Sequence, residues 1–527
     1  MRTFKELLLW AESGYGDKEA VVDLDRGVRW TYADLNSRAR SVAAGLSDAG
    51  LVKGDRIAWL AMAPGSDLAA LTLGAKKAGL VLTVMNGRAS VERLAWMITN
   101  VGARLLAYTA ETAELLDRVR AAGIPTVERF LALDEPVQPE HLNMDAVYGQ
   151  YGDAGEPAVD VQPDDISHVI YTSGSSGPPK PVMFTEQNWL ESQRNMAYAW
   201  SVFHEDHFLN YFPPHFAAWL SVQTTSVIGA ASQVCMRFDP LRVAAALTEE
   251  QCTHLITTPT MVRMLRELYT RDPGTFAGNR MRVGMLGGET ITQDVLDAVG
   301  EMFPSLQLMG SFGATESGGA MMHTGLGNER VRHDDGRLVG KPMPGITAEL
   351  RDPDSGELIA GPDRPGELYV RGPIASGIWG DEELTTRNFP DGWWRSGDLL
   401  VRDKDGYFSF AGRGDNVFKS GAIKISTEDV ETVLKAHPQV LDAVVVAVPD
   451  DRFGSVPHAF VRHRGELGDR QLVQWWSERA DADAFARPRH WTLMGEEPFP
   501  MVTTAKVDRF GLRQRAVALG EQARSEA

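Results

Sequence analysis

The sequence predicts an α/β protein with a large N-terminal domain of doubly wound sheets and a small α+β C-terminal domain. Three observations indicate this fold class. In the first third of the 527 residues, short apolar runs alternate with segments of helical periodicity, as in a parallel sheet covered by helices. Around residues 366–412, apolar and polar residues alternate between glycines, which favours short antiparallel strands. After the stretch GRGDN at 412–416, a further helix and strand indicate a separate unit.

The first elements follow from local signals. Apolar residues at helical spacing follow a Thr31/Asp34 capping pattern and stop at Gly50, so we predict a helix there. A strand is expected at Ile57–Ala61, a helix in LAALTLGAKKAG and a strand in LVLTVMN. Between Glu135 and Asp165, proline, glycine and acidic residues prevail, which predicts a long surface connection.

The later elements differ in type. The stretches GELYVRG and DGYFSFAG alternate apolar and polar residues, and each is expected to form a strand. Ser426 is a candidate N-cap for a helix that places Val430, Val433 and Leu434 on one face. The run LDAVVVAVPDD then supplies a buried strand. Helix and strand together predict the small C-terminal domain.

Composition excludes several classes of protein. The net charge of -18 argues against nucleic acid or an anionic membrane as a partner, because such surfaces repel an acidic protein. Cys235 and Cys252 give neither a disulfide framework nor the paired spacing of a metal site. The N-terminal apolar run LLLWA is too short for a signal peptide, and no run approaches the ~18 apolar residues of a membrane span. We therefore expect a soluble, cytoplasmic protein.

A glycine-rich stretch, YTSGSSGPPKPV at 171–182, is the first candidate for chemistry. Its spacing differs from the loop of P-loop ATPases, which has four residues between the glycines and a hydroxyl after the lysine. Glycine backbone N–H groups, hydroxyls and Lys180 could nevertheless hold phosphate oxygens. An ordinary exposed turn is the alternative, since Gly, Ser and Pro clusters usually form turns.

Other motifs decide between these alternatives. The stretch YTSGSSGPPKPV resembles the phosphate loop of the adenylate-forming superfamily, which includes acyl-CoA synthetases, firefly luciferases and the adenylation domains of peptide synthetases. GGET and GSFGATES are similar to its adenine-binding segments, GWWRSGDL to its ribose-binding segment, GRGDNVFKSGAIKISTEDVE to its hinge motif, and FPMVTTAKVDR to the motif of its adenylation lysine. The hinge region resembles the fatty acyl-CoA ligase branch more than the peptide-synthetase branch.

The resemblance implies a fold and a reaction. The N-terminal domain, residues 1–414, would hold doubly wound sheets and a small β-barrel-like subdomain. The C-terminal domain, residues 415–527, would be mobile and rotate about Asp415. A carboxylic acid would attack the α-phosphorus of ATP, giving an acyl-adenylate and pyrophosphate, and the thiol of CoA would then displace AMP. The implied cofactors are ATP or acyl-AMP, CoA and Mg²⁺.

The resemblance also implies roles for individual residues. Lys506 would catalyse adenylation, Lys419 would lie near the thioester chemistry, Glu316 would bind the metal, and His215 would border the acid. Cofactor-binding residues carried over from the motifs are Thr172, Ser173, Gly174, Ser175, Ser176, Gly177, Lys180, Gly287, Gly288, Glu289, Gly310, Ser311, Phe312, Gly313, Thr315, Asp398, Arg413 and Gly421. Expected substrate contacts are His215, Phe216, Trp219 and Gly310, which predict an apolar acid.

Four residues depart from the family pattern. Pro181 and Ala505 replace glycines, Met501 replaces an arginine, and Glu186 stands where a histidine is common. Proline removes an N–H and fixes φ, and Glu186 was expected to bring negative charge to the phosphates. The predicted function is an acyl-CoA ligase that activates an apolar carboxylic acid through an acyl-adenylate and transfers it to CoA by domain alternation. The four departures lead to an alternative hypothesis, in which adenylation is slow or lost and the enzyme converts a preformed acyl-adenylate. Activation of an acid for a carrier protein and a nucleotide-binding pseudoenzyme are the further alternatives.

Overall fold

The computed structural model describes residues 1–136, 138–172, 179–289, 291–326, 337–414, 417–420, 423–450, 453–479, 486–501 and 507–525. In this part of the chain, the predicted combination of a large N-terminal α/β domain and a smaller C-terminal domain is confirmed. None of the described helices is both long and apolar enough to cross a membrane.

One N-terminal sheet has eight strands and a parallel centre. Its order is β19-β9-β8-β4-β3-β5-β6-β7, with only the β8–β9 and β9–β19 pairs antiparallel. Its strands are β3 Arg56–Leu60, β4 Val81–Val84, β5 Ala103–Tyr108, β6 Arg129–Ala132, β7 Leu142–Asn143, β8 Ile166–Tyr171, β9 Pro181–Thr185 and β19 Gly377–Ile378. Strands β8 and β9 flank the glycine-rich stretch.

The second sheet has thirteen strands. Parallel strands form its centre, in the order β14-β13-β12-β10-β11-β1, and β2 pairs antiparallel with β1 at one end. These strands are β1 Glu19–Asp23, β2 Val28–Thr31, β10 His207–Asn210, β11 Ser232–Cys235, β12 His254–Thr257, β13 Val283–Leu286 and β14 Gln307–Ala314. The carboxyl ends of the parallel strands meet at one edge, where α/β proteins bind their ligands.

The other end of this sheet is antiparallel. It runs β17-β18-β20-β21-β16-β15 and joins β14 through β15. Its strands are β15 Gly319–His323, β16 Leu338–Pro342, β17 Thr347–Arg351, β18 Gly366–Arg371, β20 Trp394–Arg402 and β21 Phe408–Arg413. The strands predicted in GELYVRG and DGYFSFAG are confirmed. This region has its own apolar core, which includes Leu368, Leu400 and Phe408.

Helices cover the sheets of the N-terminal domain. They are α1 Phe4–Tyr15, α2 Tyr32–Asp48, α3 Ser66–Lys77, α4 Val91–Asn100, α5 Ala113–Ala122, α6 Met144–Tyr151, α7 Glu186–Ala199, α8 Ala217–Gly229, α9 Pro240–Glu249, α10 Pro259–Arg271, α11 Gln293–Met302 and α12 Glu382–Asn388. The predicted capping box of α2 is confirmed, since Thr31 Oγ1 accepts from the Asp34 N–H at 3.1 Å and Asp34 Oδ2 accepts from the Thr31 N–H at 2.9 Å.

The long surface connection predicted between Glu135 and Asp165 is wrong in part. It contains helix α6, which Asn143 caps by accepting a hydrogen bond from the Ala146 N–H. Met144 and Val147 are buried, and a Cβ on Gly45 of α2 would lie 3.0 Å from a Val147 methyl group. Apolar and aromatic residues at helical spacing were present here, but the proline-rich and acidic flanks concealed them.

The C-terminal part contains a hairpin and a three-stranded sheet. The hairpin is β22 Val417–Ser420 with β23 Ile423–Ser426, and the sheet is β24 Val440–Asp450, β25 Gly454–His463 and β26 His490–Leu493. Its helices are α13 Thr427–Lys435, α14 Asp469–Ser477 and α15 Arg509–Ser525. Ser426 caps α13 as predicted. Alternation along β24 buries Val445 in one core and Val446 in another, so both faces of the sheet are covered.

Candidate active site

A cavity of about 890 Å³ lies beside the carboxyl ends of β13 and β14. Eleven of the predicted site residues line it, although they come from five separate stretches of sequence. They are Thr172, Lys180, Gly288, Glu289, Ser311, Phe312, Gly313, Thr315, Glu316, Asp398 and Arg413. The parallel strands bring the first stretches together, and the antiparallel strands β20 and β21 add the last two residues.

Asp398 and Arg413 form an ion pair in this cavity. They are opposite each other in the β20–β21 register, and Arg413 Nε lies 3.2 Å from Asp398 Oδ1. Asp398 is mostly buried and its N–H donates to Ser396 Oγ at 3.0 Å. Gly397, between Ser396 and Asp398, has φ +75°, a conformation that favours glycine. The carboxylate is therefore held in a fixed position, where it can accept hydrogen bonds from a diol.

Two aromatic rings lie along the same cavity. The ring of Phe312 on β14 lies 6.2 Å from the ring of Phe410 on β21, and both line the cavity. Glu289 also lines it and accepts a hydrogen bond from Thr260 Oγ1 at 2.8 Å. A flat apolar wall beside fixed polar groups suits a nucleobase.

Gly287 and Gly310 lie behind the cavity wall instead of on it. A Cβ on Gly287 would come within 2.6 Å of Ser311 Oγ, which donates to the Leu286 carbonyl. Gly310 exchanges hydrogen bonds with Thr324, through the Thr324 N–H at 3.0 Å and Thr324 Oγ1 at 3.0 Å. Gly287 thus packs closely against Ser311, and Gly310 packs against Thr324 and Ile291. Their contacts with a ligand stay predictions.

Thr315 and Glu316 form a 3₁₀ turn directly after β14. The Glu316 carbonyl accepts from the Ala375 N–H at 2.9 Å, which fixes the turn against the segment before β19. Among the described residues, no cluster of three or more metal-ligating side chains occurs. A single carboxylate still fits Mg²⁺, because that ion is commonly bound by one or two carboxylates together with substrate phosphates.

The ends of the glycine-rich stretch are joined by hydrogen bonds. The Thr172 N–H donates to the Lys180 carbonyl at 3.0 Å, and the Lys180 N–H donates to Thr172 Oγ1 at 3.2 Å. Pro181 begins β9, and its carbonyl accepts from the Trp379 N–H at 2.8 Å. Its nitrogen lies on that same edge of the strand, so the proline removes no hydrogen bond between β8 and β9.

Glu186 is not beside the phosphate end of the cavity, contrary to the prediction. Glu186 follows the last residue of β9 and is five residues after Pro181. At about 3.3 Å per residue, the two residues lie roughly 16 Å apart. Its carboxylate is buried, accepts from the Phe4 N–H at 2.7 Å and lies 3.9 Å from Lys76 Nζ. Burial raises the pKa of Glu186 and lowers that of Lys76 to about 8. The Glu186 carboxylate is therefore the counter-charge of the buried Lys76 ammonium group.

Residues expected near the acid differ in their placement. Trp219 is buried in the core, where its ring packs edge-on against Trp59 at 6.0 Å. Its contact with the acid stays a prediction. His215 is also buried, its ring lies 4.5 Å from Phe216, and its Nδ1 has no hydrogen-bond partner among the described residues. Burial, with the nearby charge of Arg88, lowers the pKa of His215 to about 4, so it is neutral at pH 7.

Several cavity residues were missed by the sequence analysis. Trp96 and Asn100 come from α4, Trp379 follows β19, and Arg387 lies on α12. Trp96 is 43% exposed and lies off the apolar face of α4 formed by Leu94, Met97 and Ile98. An exposed tryptophan on the polar side of a helix was the available signal, but it lies far in sequence from every motif.

Some predicted residues lie outside the described part of the chain. They are Ser173, Gly174, Ser175, Ser176, Gly177, Asp415, Gly421, Ala505 and Lys506, together with the side chain of Lys419.

The family model of AMP-binding enzymes matches residues 8–379, and that of the AMP-binding enzyme C-terminal domain matches residues 429–506. The chain belongs to the AMP-binding enzyme family. The predicted membership of the adenylate-forming superfamily, in its acyl-CoA ligase branch, is confirmed. This AMP-binding enzyme is accordingly an acid–thiol ligase by family.

Relatives of this AMP-binding enzyme match over most of their length. A putative acyl-CoA synthetase, YngI of Bacillus subtilis, is 26% identical, with 98% of this chain and 97% of the relative covered. A feruloyl-CoA synthase of Amycolatopsis is 30% identical over 86% of this chain and 88% of its own. The solved structure of O-succinylbenzoate coenzyme A synthetase (MenE) of Bacillus subtilis with ATP and magnesium ion is similar, with a TM-score of 0.80 and 22% sequence identity. The match covers 96% of this chain and 98% of that chain. That last likeness concerns the fold alone.

Proposed function

We propose that this enzyme is an acyl-CoA ligase that activates an apolar carboxylic acid with ATP and transfers it to CoA. The observation that carries the proposal is the convergence of Lys180, Glu316, Asp398 and Arg413 on one cavity. A cation, a carboxylate and a fixed acceptor for a diol are the groups that a nucleotide with a reacting phosphate requires.

Some residues of this cavity would bind the adenine and ribose of the nucleotide, and others would bind its phosphates. Phe312 and Phe410 would stack on the adenine, and Asp398, held by Arg413, would accept hydrogen bonds from both ribose hydroxyls. Glu316 would hold Mg²⁺, which supplies positive charge to the phosphates when bound. Lys180 at the end of the glycine-rich stretch would add a point charge for the same oxygens.

Two domains would act in turn on this cavity. We place the boundary at residues 1–414 and 415–527, with Asp415 as the hinge. In one pose Lys506 would stabilise the charge that develops at the α-phosphate, and in the other Lys419 and Gly421 would approach the thioester chemistry. The enzyme could then use one active site for two reactions with different demands.

The acid would lie near the buried His215 and the half-buried Phe216. Because His215 is neutral at pH 7, it can give or accept a hydrogen bond but adds no charge that would attract a second carboxylate. The ring of Phe216, 4.5 Å from that of His215, favours an apolar acid at this position. CoA is the proposed acceptor, ahead of a carrier protein.

Thioester formation from a preformed acyl-adenylate is the second candidate function. Ala505 and Met501 still favour it, because they stand where the family motif has a glycine and an arginine. Glu186 no longer supports it, since that carboxylate opposes Lys76, and Pro181 removes no hydrogen bond between β8 and β9. We therefore favour the complete two-step reaction. A pseudoenzyme is less well supported, because the residues of the nucleotide cavity are all present.

A ligation screen tests the proposal. Fatty, aromatic and polycyclic acids would each be incubated with ATP, Mg²⁺ and CoA, and the CoA thioesters measured by mass spectrometry. We expect a subset of apolar acids to give thioesters. If no acid does so, and the corresponding synthetic acyl-adenylates do, the second candidate function replaces the first. If neither set of substrates gives a thioester, the proposal is contradicted.

A further inference from the structure

A second cavity, of about 1020 Å³, lies within the C-terminal domain. It is lined by the end of β24, by His458 of β25, by residues of β26, by the start of α14 and by one face of α15. All of its lining residues lie between Val448 and Gly520, and none of them lines the nucleotide cavity. Its volume is sufficient for a small organic ligand.

The cavity forms because α15 covers only part of the three-stranded sheet. Leu512 and Ala516 of α15 pack in one core with Phe460 of β25 and with valines of β24. In the parallel β25–β26 pair, Phe460 lies opposite Thr492, so the two side chains share a face of the sheet. Among the described residues, no side chain of β26 is buried in this core. The edge strand is therefore left open beside the helix.

Two exposed arginines from different elements line the cavity. Arg489, directly before β26, lies over the ring of Phe453 at 4.5 Å. Arg515 of α15 lies over the ring of Phe460 at 6.0 Å. Neither guanidinium forms an ion pair or a hydrogen bond in the part of the chain that the structure describes. A stacked guanidinium keeps the N–H groups at its edge, where they can bind a phosphate or a carboxylate through two parallel hydrogen bonds.

The acidic residues of this cavity already hold backbone groups. Asp450 Oδ1 accepts a hydrogen bond from the Phe453 N–H at 2.8 Å, and Asp469 Oδ1 accepts one from the Arg470 N–H at 2.8 Å. Neither carboxylate pairs with the two arginines in the described part of the chain. The positive charges of the cavity are therefore not neutralised by its own acidic groups.

The rest of the wall combines apolar surface with hydrogen-bonding groups. Trp491 and Leu519 provide apolar surface. His458 is buried, its Nε2 lies 2.8 Å from Thr492 Oγ1, and its ring lies 5.9 Å from that of His490. Cations beside an aromatic and aliphatic wall suit a ligand that has a charged group on an apolar body.

We propose that this cavity binds an organic anion, with its phosphate or carboxylate group on Arg489 and Arg515 and its apolar body against Trp491 and Leu519. A protein with a net charge of -18 repels anions over most of its surface, so fixed cations are needed to hold one. The site lies outside the nucleotide cavity, and the inference does not depend on the proposed ligation reaction.

Hydrogen exchange of the full-length protein, followed by mass spectrometry, tests the proposal with 1-naphthyl phosphate, 1-naphthoate and 1-naphthol. These probes share one aromatic body and differ in the group attached to it. We expect at least one of the two anions to slow exchange in residues 486–493 and 509–520, and the neutral 1-naphthol to bind at least ten-fold more weakly. Protection by the phosphate alone would indicate a phosphate ester as the ligand, and protection by the carboxylate alone would indicate a carboxylic acid.

Substitutions assign the binding to the two arginines. Arg489→Gln and Arg515→Gln should each weaken binding of the anion about ten-fold, measured by titration calorimetry, since each removes hydrogen bonds from a charged donor. Arg515→Lys keeps the charge without the planar fork and should cause a smaller loss. Arg513→Gln is the matched control, because Arg513 is also exposed on α15 but does not line the cavity. This variant should bind the anion as the unchanged protein does.

Three results would overturn the inference. The first is that no probe protects these residues, and the second is that 1-naphthol protects them as strongly as the anions. The third is that Arg489→Gln and Arg515→Gln bind the anion as tightly as Arg513→Gln. Since exchange is measured without ATP or CoA, failure of the proposed ligation reaction would leave each of these results interpretable.

Discussion

Asp398 is the residue on which nucleotide binding depends most in this account. It is mostly buried, its carboxylate pairs with Arg413, and its N–H donates to Ser396 Oγ, so it is held in one place. Asp398→Asn would remove the charge at nearly constant size. Since a hydrogen bond to a charged group contributes about 1.5 to 3 kcal/mol, we expect AMP binding to weaken about ten-fold or more, measured by calorimetry.

Asp381→Asn provides the control for that change. Asp381 lines the same cavity but caps helix α12, and asparagine caps a helix equally well. We expect AMP to bind this variant normally. If Asp398→Asn and Asp381→Asn lost AMP affinity equally, the total charge of the cavity, and not the contact with the ribose, would control AMP binding.

Pro181, at the start of β9, allows a second prediction for a single residue. Because its nitrogen faces away from β8, the proline is compatible with the strand pairing. Pro181→Gly should therefore leave the rate of pyrophosphate release within about two-fold and destabilise the protein by about 1 kcal/mol through added freedom of the unfolded chain. A large rise in pyrophosphate release would instead support the view that this proline restrains adenylation.

Individual residues were predictable to the extent that a motif fixed them. Short motifs singled out Asp398, Arg413, Glu316 and Phe312 in the sequence, and the structure brings these four residues to one cavity. Glu186 was misplaced, since sequence distance from the glycine-rich stretch says little about direction along a strand. Its partner, Lys76, is more than a hundred residues away and could not be recognised from either sequence context.

At the scale of elements, the far ends of β8 and β9 meet a buried polar cluster. Lys76 at the end of α3 donates to the Ser167 carbonyl at 2.9 Å, and Glu186 at the start of α7 accepts from the first turn of α1. Three helices are thereby joined to the two strands that carry the glycine-rich stretch. The cluster holds the base of these strands. At their other ends, by the cavity, Tyr171 Oη donates to the Met97 carbonyl of α4 at 2.9 Å, and the Trp379 N–H donates to the Pro181 carbonyl at 2.8 Å.

Glu186→Gln tests the energetic role of this cluster. Removal of one partner of a buried ion pair leaves the other uncompensated, and we expect a loss of about 3 kcal/mol in urea unfolding. ATP binding should change little, because the cluster lies a strand's length from the cavity. Glu301→Gln, which breaks the exposed Arg266–Glu301 pair, should cost less than 1 kcal/mol. Similar losses in the two variants would contradict the account of a buried pair.

Elements with clear periodicity were predictable, and α2, β18, β21 and α13 formed where their patterns placed them. Helix α6 was not predicted, because the proline-rich and acidic flanks concealed the helical spacing of Met144, Val147 and Tyr148. The hydrogen bonds from Tyr171 to Met97 and from Trp379 to Pro181 were also not predicted. They depend on α4 and the segment after β19 meeting β8 and β9 in space, which local sequence does not specify.

For the whole molecule, buried histidines predict how stability depends on pH. Burial lowers the pKa values of His215, His254 and His458 to about 4. The unfolded chain, with values near 6.5, binds more protons between pH 6.5 and 4, so stability must fall as the pH is lowered through this range. Each such histidine should contribute a loss of about 2 kcal/mol between neutral pH and pH 5.

Urea unfolding at pH 7 and pH 5 measures this effect. His254→Gln removes one titrating group, and although it is expected to be less stable at pH 7, it should lose less stability on acidification than the unchanged protein. An equal loss in both proteins would indicate that other groups, such as the carboxylates, control the acid response.

In the proposed function this one enzyme carries out both half-reactions, which can be checked by measuring pyrophosphate release and thioester formation in parallel. With an acid identified by the ligation screen, the unchanged protein should release one pyrophosphate for each CoA thioester. Lys506→Ala should lose pyrophosphate release by more than a hundred-fold, about 3 kcal/mol of transition-state stabilisation, while still converting the supplied acyl-adenylate to the thioester. Thioester formation from the acyl-adenylate alone, without acid-dependent pyrophosphate release by the unchanged protein, would contradict the account.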